Sequence, residues 1–225
     1  MPLKIFLIQM ISKIITKSLV FFIIFFHSSV FANQEKDLII GNASAKISME
    51  VFSSPTCPHC ANFHLEVVPD LIKNYTSKGR LKIIHKDFPL DLQGLNAGKI
   101  SKCIQQDKLL EFFNTIYSEQ RNWSSGKDIK EVNDKLKKIA LKFNMTGDQF
   151  DKCIINEKNE ELVLKSRIEG TKKYNVNATP TIIINGKKSS VYSSHFDKIF
   201  SHQVYDLFSL PNTLEDIKNN LMKIA

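Results

Sequence analysis

Cysteine is scarce in this sequence, with four in 225 residues, and only one pair has the spacing of a functional motif. That pair is Cys57 and Cys60, whereas Cys103 and Cys153 stand alone, fifty residues apart. A structural zinc site needs four ligands, usually from two C-x-x-C pairs or from one pair and two spaced histidines. No second pair is present, so the ligand count argues against zinc and we expect no metal.

Long hydrophobic segments are also scarce. The longest uninterrupted one, residues 19–26, has eight residues, whereas a helix needs roughly 20 to span a bilayer. Lysines precede it and small residues follow it up to Ala32, which is typical of a secretory signal peptide. We therefore predict that residues 1–32 are a signal peptide cleaved after Ala32. The alternative is an uncleaved anchor, which Lys13 and Lys17 would interrupt.

The sequence also lacks a nucleic-acid-binding motif. Its formal net charge is +8, but the lysines are scattered along the chain and do not form a basic stripe interleaved with aromatic residues. We expect a solvated surface and no nucleic-acid partner. Export would place the mature chain, residues 33–225, in an oxidising compartment such as the periplasm, where disulfides persist.

The segment Cys57-Pro58-His59-Cys60 lies between an apolar stretch typical of a strand and a pattern typical of a helix. This spacing brings both sulfurs within bonding range in the first helical turn. The helix N-terminus favours a thiolate at Cys57 and lowers its pKa. Pro58 suits the first turn because no N–H is needed there, and protonated His59 would favour the thiolate further. The motif therefore predicts a dithiol/disulfide redox centre with a strongly oxidising disulfide.

The periodicity predicts an α/β fold with an inserted all-helical subdomain. Strand patterns occur at about 37–40, 46–52, 81–85 and 181–184, and a helical pattern follows Cys57, giving a β-α-β unit with parallel strands. From about 96 to 174 the pattern is helical, with an apolar stripe that we interpret as packing core. Asn185-Gly186 predicts a type I′ hairpin, and residues 213–224 form a final amphipathic pattern.

Together, these features resemble the thioredoxin superfamily, specifically the DsbA-type thiol:disulfide oxidoreductases. The matching parts are the Cys57–Cys60 motif between strand and helix, the segment 87–91, the helical insertion, Thr179-Pro180 and Asn185-Gly186. The resemblance implies a thioredoxin fold over the mature chain. It also implies that Pro180 is cis and faces the active-site cysteines, with Thr179 offering backbone groups to a substrate. Without the resemblance, Pro180 would be an ordinary proline at the start of a strand.

The two remaining cysteines, Cys103 and Cys153, match cysteines of many such relatives. With export and an even cysteine count, we expect a structural disulfide between them. The alternative is a pair of buried free thiols. One departure concerns a glutamate that many relatives bury beneath the first cysteine, because Val51 stands there and Glu50 would face the other side of the strand. The proton transfer of Cys60 is therefore left without its usual carboxylate.

The function implied is a periplasmic thiol:disulfide oxidoreductase that introduces disulfide bonds into exported proteins. Its substrates would be the thiols of those proteins, and a DsbB-like, quinone-linked membrane protein would reoxidise it. No bound cofactor is implied. Two alternatives stay open: a disulfide isomerase or reductase, since Thr179 before the proline is also common among isomerases, and a non-catalytic binding or chaperone module of thioredoxin fold.

Overall fold

The computed structural model describes residues 37–189. The predicted signal peptide at 1–32 and the predicted final helix at 213–224 lie outside the described residues. So does almost all of 189–211, a polar and aromatic segment whose His195 and His202 are assigned no role from the sequence. Within residues 37–189, no helix is both long enough and apolar enough to cross a bilayer.

Five strands form one mixed sheet in the order β1-β3-β2-β4-β5. They are β1 (Ile39–Ile40), β2 (Ile47–Ser53), β3 (Leu81–Asp87), β4 (Thr181–Ile184) and β5 (Lys187–Lys188). Strands β2 and β3 are parallel, which confirms the predicted β-α-β unit, while β4 runs antiparallel to β2. The β4–β5 turn has positive φ at Asn185 and Gly186, as a type I′ hairpin requires.

The crossover from β2 to β3 is one continuous helical segment with two π-helical turns. It comprises α1 (Pro58–Asn62), a π turn at Phe63–Val67, α2 (Val68–Leu71) and a second π turn at Ile72–Thr76. Pro69 lies in α2, just after the first π turn. Proline cannot donate the usual helical hydrogen bond, and its ring clashes with the carbonyl four residues earlier. For Pro69 that residue is Leu65, which lies in the first π turn.

Helices cover most of the chain between β3 and β4, which confirms the predicted helical insertion. They are α3 (Leu92–Ser101), α4 (Leu109–Ser118), α5 (Gln120–Trp123), α6 (Ile129–Leu141), α7 (Gly147–Ile154) and α8 (Glu157–Tyr174). Helix α3 begins earlier than the predicted boundary near 96. The carboxylate of Asp91 caps it by accepting a hydrogen bond from the Gly94 N–H at 2.7 Å.

Two hydrophobic cores contain most of the buried apolar residues. The first lies within the insertion and includes the apolar stripe of α6, of which Val132, Leu136, Ile139 and Ala140 are buried. The second lies between the sheet and the crossover segment and includes Met49, Val51 and Ile83. Cys57 and Cys60 belong to the first core, so the helical insertion covers the end of the sheet that carries them.

Helix α8 approaches the sheet closely at Gly170. A Cβ atom at this position would lie 2.7 Å from the ring of Phe52, closer than real Cβ atoms approach other atoms. The absence of a side chain at 170 therefore lets α8 pack directly against the end of β2.

Candidate active site

Cys57 precedes the first turn of α1 and adopts an extended conformation, with φ −82° and ψ 120°. Its carbonyl accepts hydrogen bonds from the N–H groups of Cys60 at 3.0 Å and Ala61 at 3.1 Å, which starts the helix. Pro58 occupies the first helical position, where its missing N–H costs nothing. The sequence therefore turns from strand to helix at Cys57 and places both thiols on the first turn.

The surroundings of the Cys57 sulfur favour its thiolate form. Both thiols of the pair are free, and the Cys57 side chain is only 6% exposed. A hydrogen bond from the Cys60 thiol lowers the pKa of Cys57 most, and hydrogen bonds from the Thr179 side chain and from the N–H groups of Cys60 and His59 add to this. Burial opposes them, and the pKa of Cys57 falls to about 5 from its ordinary value of 9.0.

Cys60 has the opposite electrostatic environment. Its side chain is fully buried, and burial raises its pKa well above the ordinary value. The hydrogen bond that it gives to Cys57 and the negative charge of the Cys57 thiolate raise this pKa further, while the Ser54 N–H opposes them weakly. At neutral pH the reduced site therefore holds a thiolate at Cys57 and a thiol at Cys60.

The second half of the site comes from the segment before β4. The Thr179–Pro180 peptide bond is cis, and the Cys57 sulfur lies 3.3 Å from the Thr179 carbonyl oxygen. Both Thr179 and Pro180 are buried. The fold thus brings together the two motifs that the sequence presents 122 positions apart.

The two central residues of the motif, Pro58 and His59, are exposed. The backbone N–H of His59 is one of the donors that lower the pKa of Cys57. This backbone donor belongs to the helix N-terminal effect that the sequence predicted, whereas the predicted contribution of the His59 imidazole stays a prediction.

Gln120 in α5 is a site residue that sequence reasoning missed. Its side-chain amide is buried and donates to the carbonyl oxygens of Pro55 at 2.8 Å and Cys57 at 3.0 Å. These two hydrogen bonds join the helical insertion to the loop that carries Cys57. No local signal marks Gln120, because the contact joins positions more than sixty residues apart.

Three polar aromatic side chains, His64, His85 and Tyr117, are buried between the sheet, the crossover segment and α4. His85 on β3 places Nε2 3.2 Å from the hydroxyl of Tyr117 on α4, and His64 places Nε2 2.8 Å from Oδ1 of Asn114. Val51 is buried and pairs with His85 in the β2–β3 register, so β2 presents no carboxylate at that point. Tyr117 lies in the helical segment whose apolar stripe was predicted as packing core, and a buried tyrosine hydroxyl usually has a polar partner.

Cys103 and Cys153 form a disulfide in the helical insertion. Its sulfurs are 1.99 Å apart, and it joins the chain just after α3 to α7. The Asn159 side chain donates to the Cys103 sulfur at 3.0 Å. Among residues 37–189, no three side chains of His, Cys, Asp or Glu are grouped so that they could hold a metal ion.

Comparison with known sequences points to one family. Residues 33–200 match the family described as Thioredoxin. A Rickettsia bellii protein named "Putative protein-disulfide oxidoreductase" is 27% identical over 164 residues, which are 72% of this chain and 62% of that protein. The match therefore spans somewhat less than two thirds of the length of this curated relative.

Solved structures show the same fold. The chain is similar to alpha-DsbA1 of Wolbachia pipientis, with 27% identity, a TM-score of 0.63, and coverage of 77% of this chain and 91% of that one. It also resembles a protein-disulfide isomerase of Novosphingobium aromaticivorans, with 18% identity, a TM-score of 0.67, and coverage of 75% and 96% respectively. The thioredoxin fold with a helical insertion, expected from the sequence, is thereby confirmed.

Proposed function

We propose that this chain, which belongs to the thioredoxin family and to its DsbA type, is a thiol:disulfide oxidoreductase that introduces disulfide bonds into exported proteins. Cys57 is the residue that reacts with substrate, and Cys60 is its buried partner. The alternatives are an isomerase, a reductase or a non-catalytic binding module.

The observation that carries this proposal is the electrostatic difference between the two sulfurs. The pKa of Cys57 is lowered to about 5, whereas the pKa of Cys60 is raised. A thiolate is a good leaving group and is stabilised only in the reduced protein, because a disulfide carries no charge. The site therefore favours reduction of its own disulfide, and with it oxidation of a substrate. In a binding module without redox activity, the two cysteines would not need different pKa values.

The reaction follows from this geometry. A substrate thiolate attacks the Cys57 sulfur, the Cys57–Cys60 bond breaks, and its electron pair goes to Cys60. A second substrate thiolate then attacks the sulfur that the substrate has bonded to Cys57, and Cys57 leaves as a thiolate. The substrate is oxidised by two electrons and this protein is reduced by two. Thr179 beside Cys57 offers its backbone to the extended substrate chain.

Trapping experiments test the assignment of the two cysteines. Incubated with a substrate that carries a disulfide, the Cys60→Ser variant should accumulate mixed disulfides, because the Cys57 thiolate opens the substrate disulfide and no Cys60 thiol remains to release the substrate. The matched Cys57→Ser variant should accumulate none, because Cys60 has no exposure to solvent. Stable adducts through Cys60 would reverse the assignment, and no adducts in either variant would favour a binding module.

The reduction potential separates the oxidase from its alternatives. Equilibration of the Cys57–Cys60 pair with a glutathione buffer should give a value nearer to about −120 mV than to about −270 mV. A value near −180 mV would favour an isomerase and one near −270 mV a reductase. The proposal also includes a periplasmic location and reoxidation by a DsbB-like membrane protein, which purification of the exported protein in its oxidised form would support.

A further inference from the structure

The chain between β2 and α1 is a tight turn that contacts both redox sulfurs. This active-site turn consists of Ser54, Pro55, Thr56 and Cys57, and the Cys57 N–H closes it by donating to the Ser54 carbonyl at 3.1 Å. Pro55 takes the second position, which proline favours in such turns. The Cys57 sulfur lies at one end, and the N–H of Ser54 at the other end forms a hydrogen bond with the Cys60 sulfur. The conformation of the turn therefore sets the surroundings of both sulfurs.

The side chain of Gln120 bridges two carbonyl groups of the active-site turn. Pro55 is buried, and a buried carbonyl without a donor is costly. The Gln120 amide nitrogen donates to the Pro55 carbonyl at 2.8 Å and to the Cys57 carbonyl at 3.0 Å. An amide nitrogen carries two N–H groups and both partners are acceptors, so this orientation of the amide is the one that the two carbonyls require. A single side chain thus fixes two points of the turn relative to each other.

Gln120 is itself held in place by its neighbours in the insertion. It is buried and begins the short helix α5. Its backbone carbonyl accepts a hydrogen bond from the Ser124 hydroxyl at 2.6 Å. Trp123, at the end of the same helix, is buried, and its indole N–H donates to the Ile116 carbonyl of α4 at 2.7 Å. The amide is therefore presented to the active-site turn from a well-anchored helix.

The direction of the Cys57 carbonyl is linked to the position of the Cys57 sulfur. Both groups branch from the same Cα atom, and the ψ angle of 120° determines where the carbonyl points and where the N–H groups of α1 lie. Pro58 restricts this angle only to a broad extended range. A fixed donor on the carbonyl narrows the range. It thereby keeps the sulfur beside the N–H groups of His59 and Cys60, which are among the donors that lower the pKa of Cys57.

The opposite end of the active-site turn is held from the side of the sheet. Ser54 has no exposure to solvent, and its hydroxyl accepts a hydrogen bond from the Leu90 N–H at 3.3 Å. Leu90 belongs to the loop after β3, whereas Gln120 belongs to the helical insertion. The turn is therefore held between these two parts of the protein, and Gln120 supplies the contact at the end that carries the Cys57 sulfur.

We propose that Gln120 is a positioning residue for thiol–disulfide exchange, and that its amide holds the active-site turn so that the Cys57 sulfur stays against Thr179 and the first turn of α1. The inference rests on the function proposed above and adds to it a residue of the helical insertion. Gln120 acts through the backbone of the turn and takes no part in the exchange itself. Without its amide the turn relaxes, the donors move away from the Cys57 sulfur, and the thiolate of the reduced protein is stabilised less. The disulfide is then a weaker oxidant.

The test measures the pKa of Cys57 and the reduction potential of the Cys57–Cys60 pair in the Gln120→Met variant. Methionine has nearly the length of glutamine and no donor. The pKa is read from the thiolate absorbance of the reduced protein, and the potential from equilibration with a glutathione buffer. Weakening one hydrogen bond to a charged group shifts a pKa by about one unit, so we expect the pKa of Cys57 to rise by about that much. The potential should then fall by about 30 mV.

The matched control is Gln106→Met. The Gln106 amide also joins the insertion to a backbone carbonyl, that of Asp37 at 3.1 Å, but this contact does not involve the active-site turn. The control should keep the pKa and the potential of the wild type, even where its stability falls. Equal shifts in the two variants would indicate a general loosening and would overturn the inference. A Gln120→Met variant that loses stability but keeps the wild-type pKa and potential would overturn it as well, because the role of Gln120 would then be structural only.

The Gln120→Asn variant covers the case in which Gln120→Met does not fold. Asparagine keeps the amide but is one methylene shorter, so it is too short to keep both hydrogen bonds to the turn. We expect the pKa of Cys57 to rise and the potential to fall, each by less than in Gln120→Met, and unchanged values would contradict the positioning role. A wild-type Cys57 that titrates near about 8.5, as an ordinary cysteine does, would instead count against the proposed function itself.

Discussion

Lowering the pH from 7 to 5 should destabilise the reduced protein much more than the oxidised protein. The pKa of Cys57 is about 5 in the fold, against about 8.5 in an unfolded chain. A pKa lowered by folding adds stability that is complete above the unfolded value and disappears as the pH falls through the folded value. From these two values, the Cys57 thiolate contributes about 2.7 kcal/mol at pH 7 and about 0.4 kcal/mol at pH 5.

Some water reaches the edge of the sulfur and screens part of this interaction, so we expect a loss of about 2 kcal/mol between the two pH values. The assay is chemical denaturation of the reduced and the oxidised protein at each pH. The difference between them isolates Cys57, because every carboxylate and histidine titrates in both forms and only the reduced form carries the thiol. Reduced Cys57→Ser should show no such excess loss. Parallel pH profiles of the two redox forms would refute the low pKa and the oxidising character inferred from it.

Three further outcomes are expected. Gln120→Met should lower the free energy of unfolding by about 1–3 kcal/mol in denaturant titrations, because two buried carbonyls lose their shared donor; an unchanged stability would mean that another group replaces it. Replacing Cys103 and Cys153 together by alanine should lower the melting temperature, since closing a loop of this length is worth about 4 kcal/mol in the chain-entropy model, and thiol oxidation should persist. His59→Ser keeps the backbone N–H, so it should raise the pKa of Cys57 only by the imidazole contribution. It should also lower the reduction potential, by about 30 mV for every unit by which that pKa rises. If neither quantity moves, the imidazole has no part in the chemistry.

The elements that the sequence predicted correctly are those with local signals. Alternation and β-branched residues mark β2 and β3, Asn185-Gly186 marks the hairpin, and a 3.6-residue stripe marks α6, each within about a dozen positions. The Cys57–Cys60 motif is equally local, since both residues lie at the first turn of one helix.

The features that the sequence did not predict depend on long-range packing. Gln120 donates to backbone carbonyls more than sixty positions away, and Tyr117 meets His85 across the interface between insertion and sheet. The buried face of α8 contains Ser166 and Gly170, which no hydrophobic pattern would select. The reason for a small residue on this face is the Phe52 ring, which lies so close to Gly170 that a side chain would not fit.

The low solvent exposure of Cys57 has a consequence for the stage of folding at which this protein would act on a substrate protein. Its sulfur lies beside the Thr179 carbonyl with only 6% of the side chain open to solvent. Because so little of Cys57 is exposed, we expect a cysteine on a flexible strand to reach the Cys57–Cys60 bond more readily than a cysteine fixed on a rigid, folded surface. Under the proposed activity, the site would select substrate proteins by how far they have folded and not by their sequence. It would form their disulfides early, while the substrate chain is still flexible enough to reach the Cys57 sulfur.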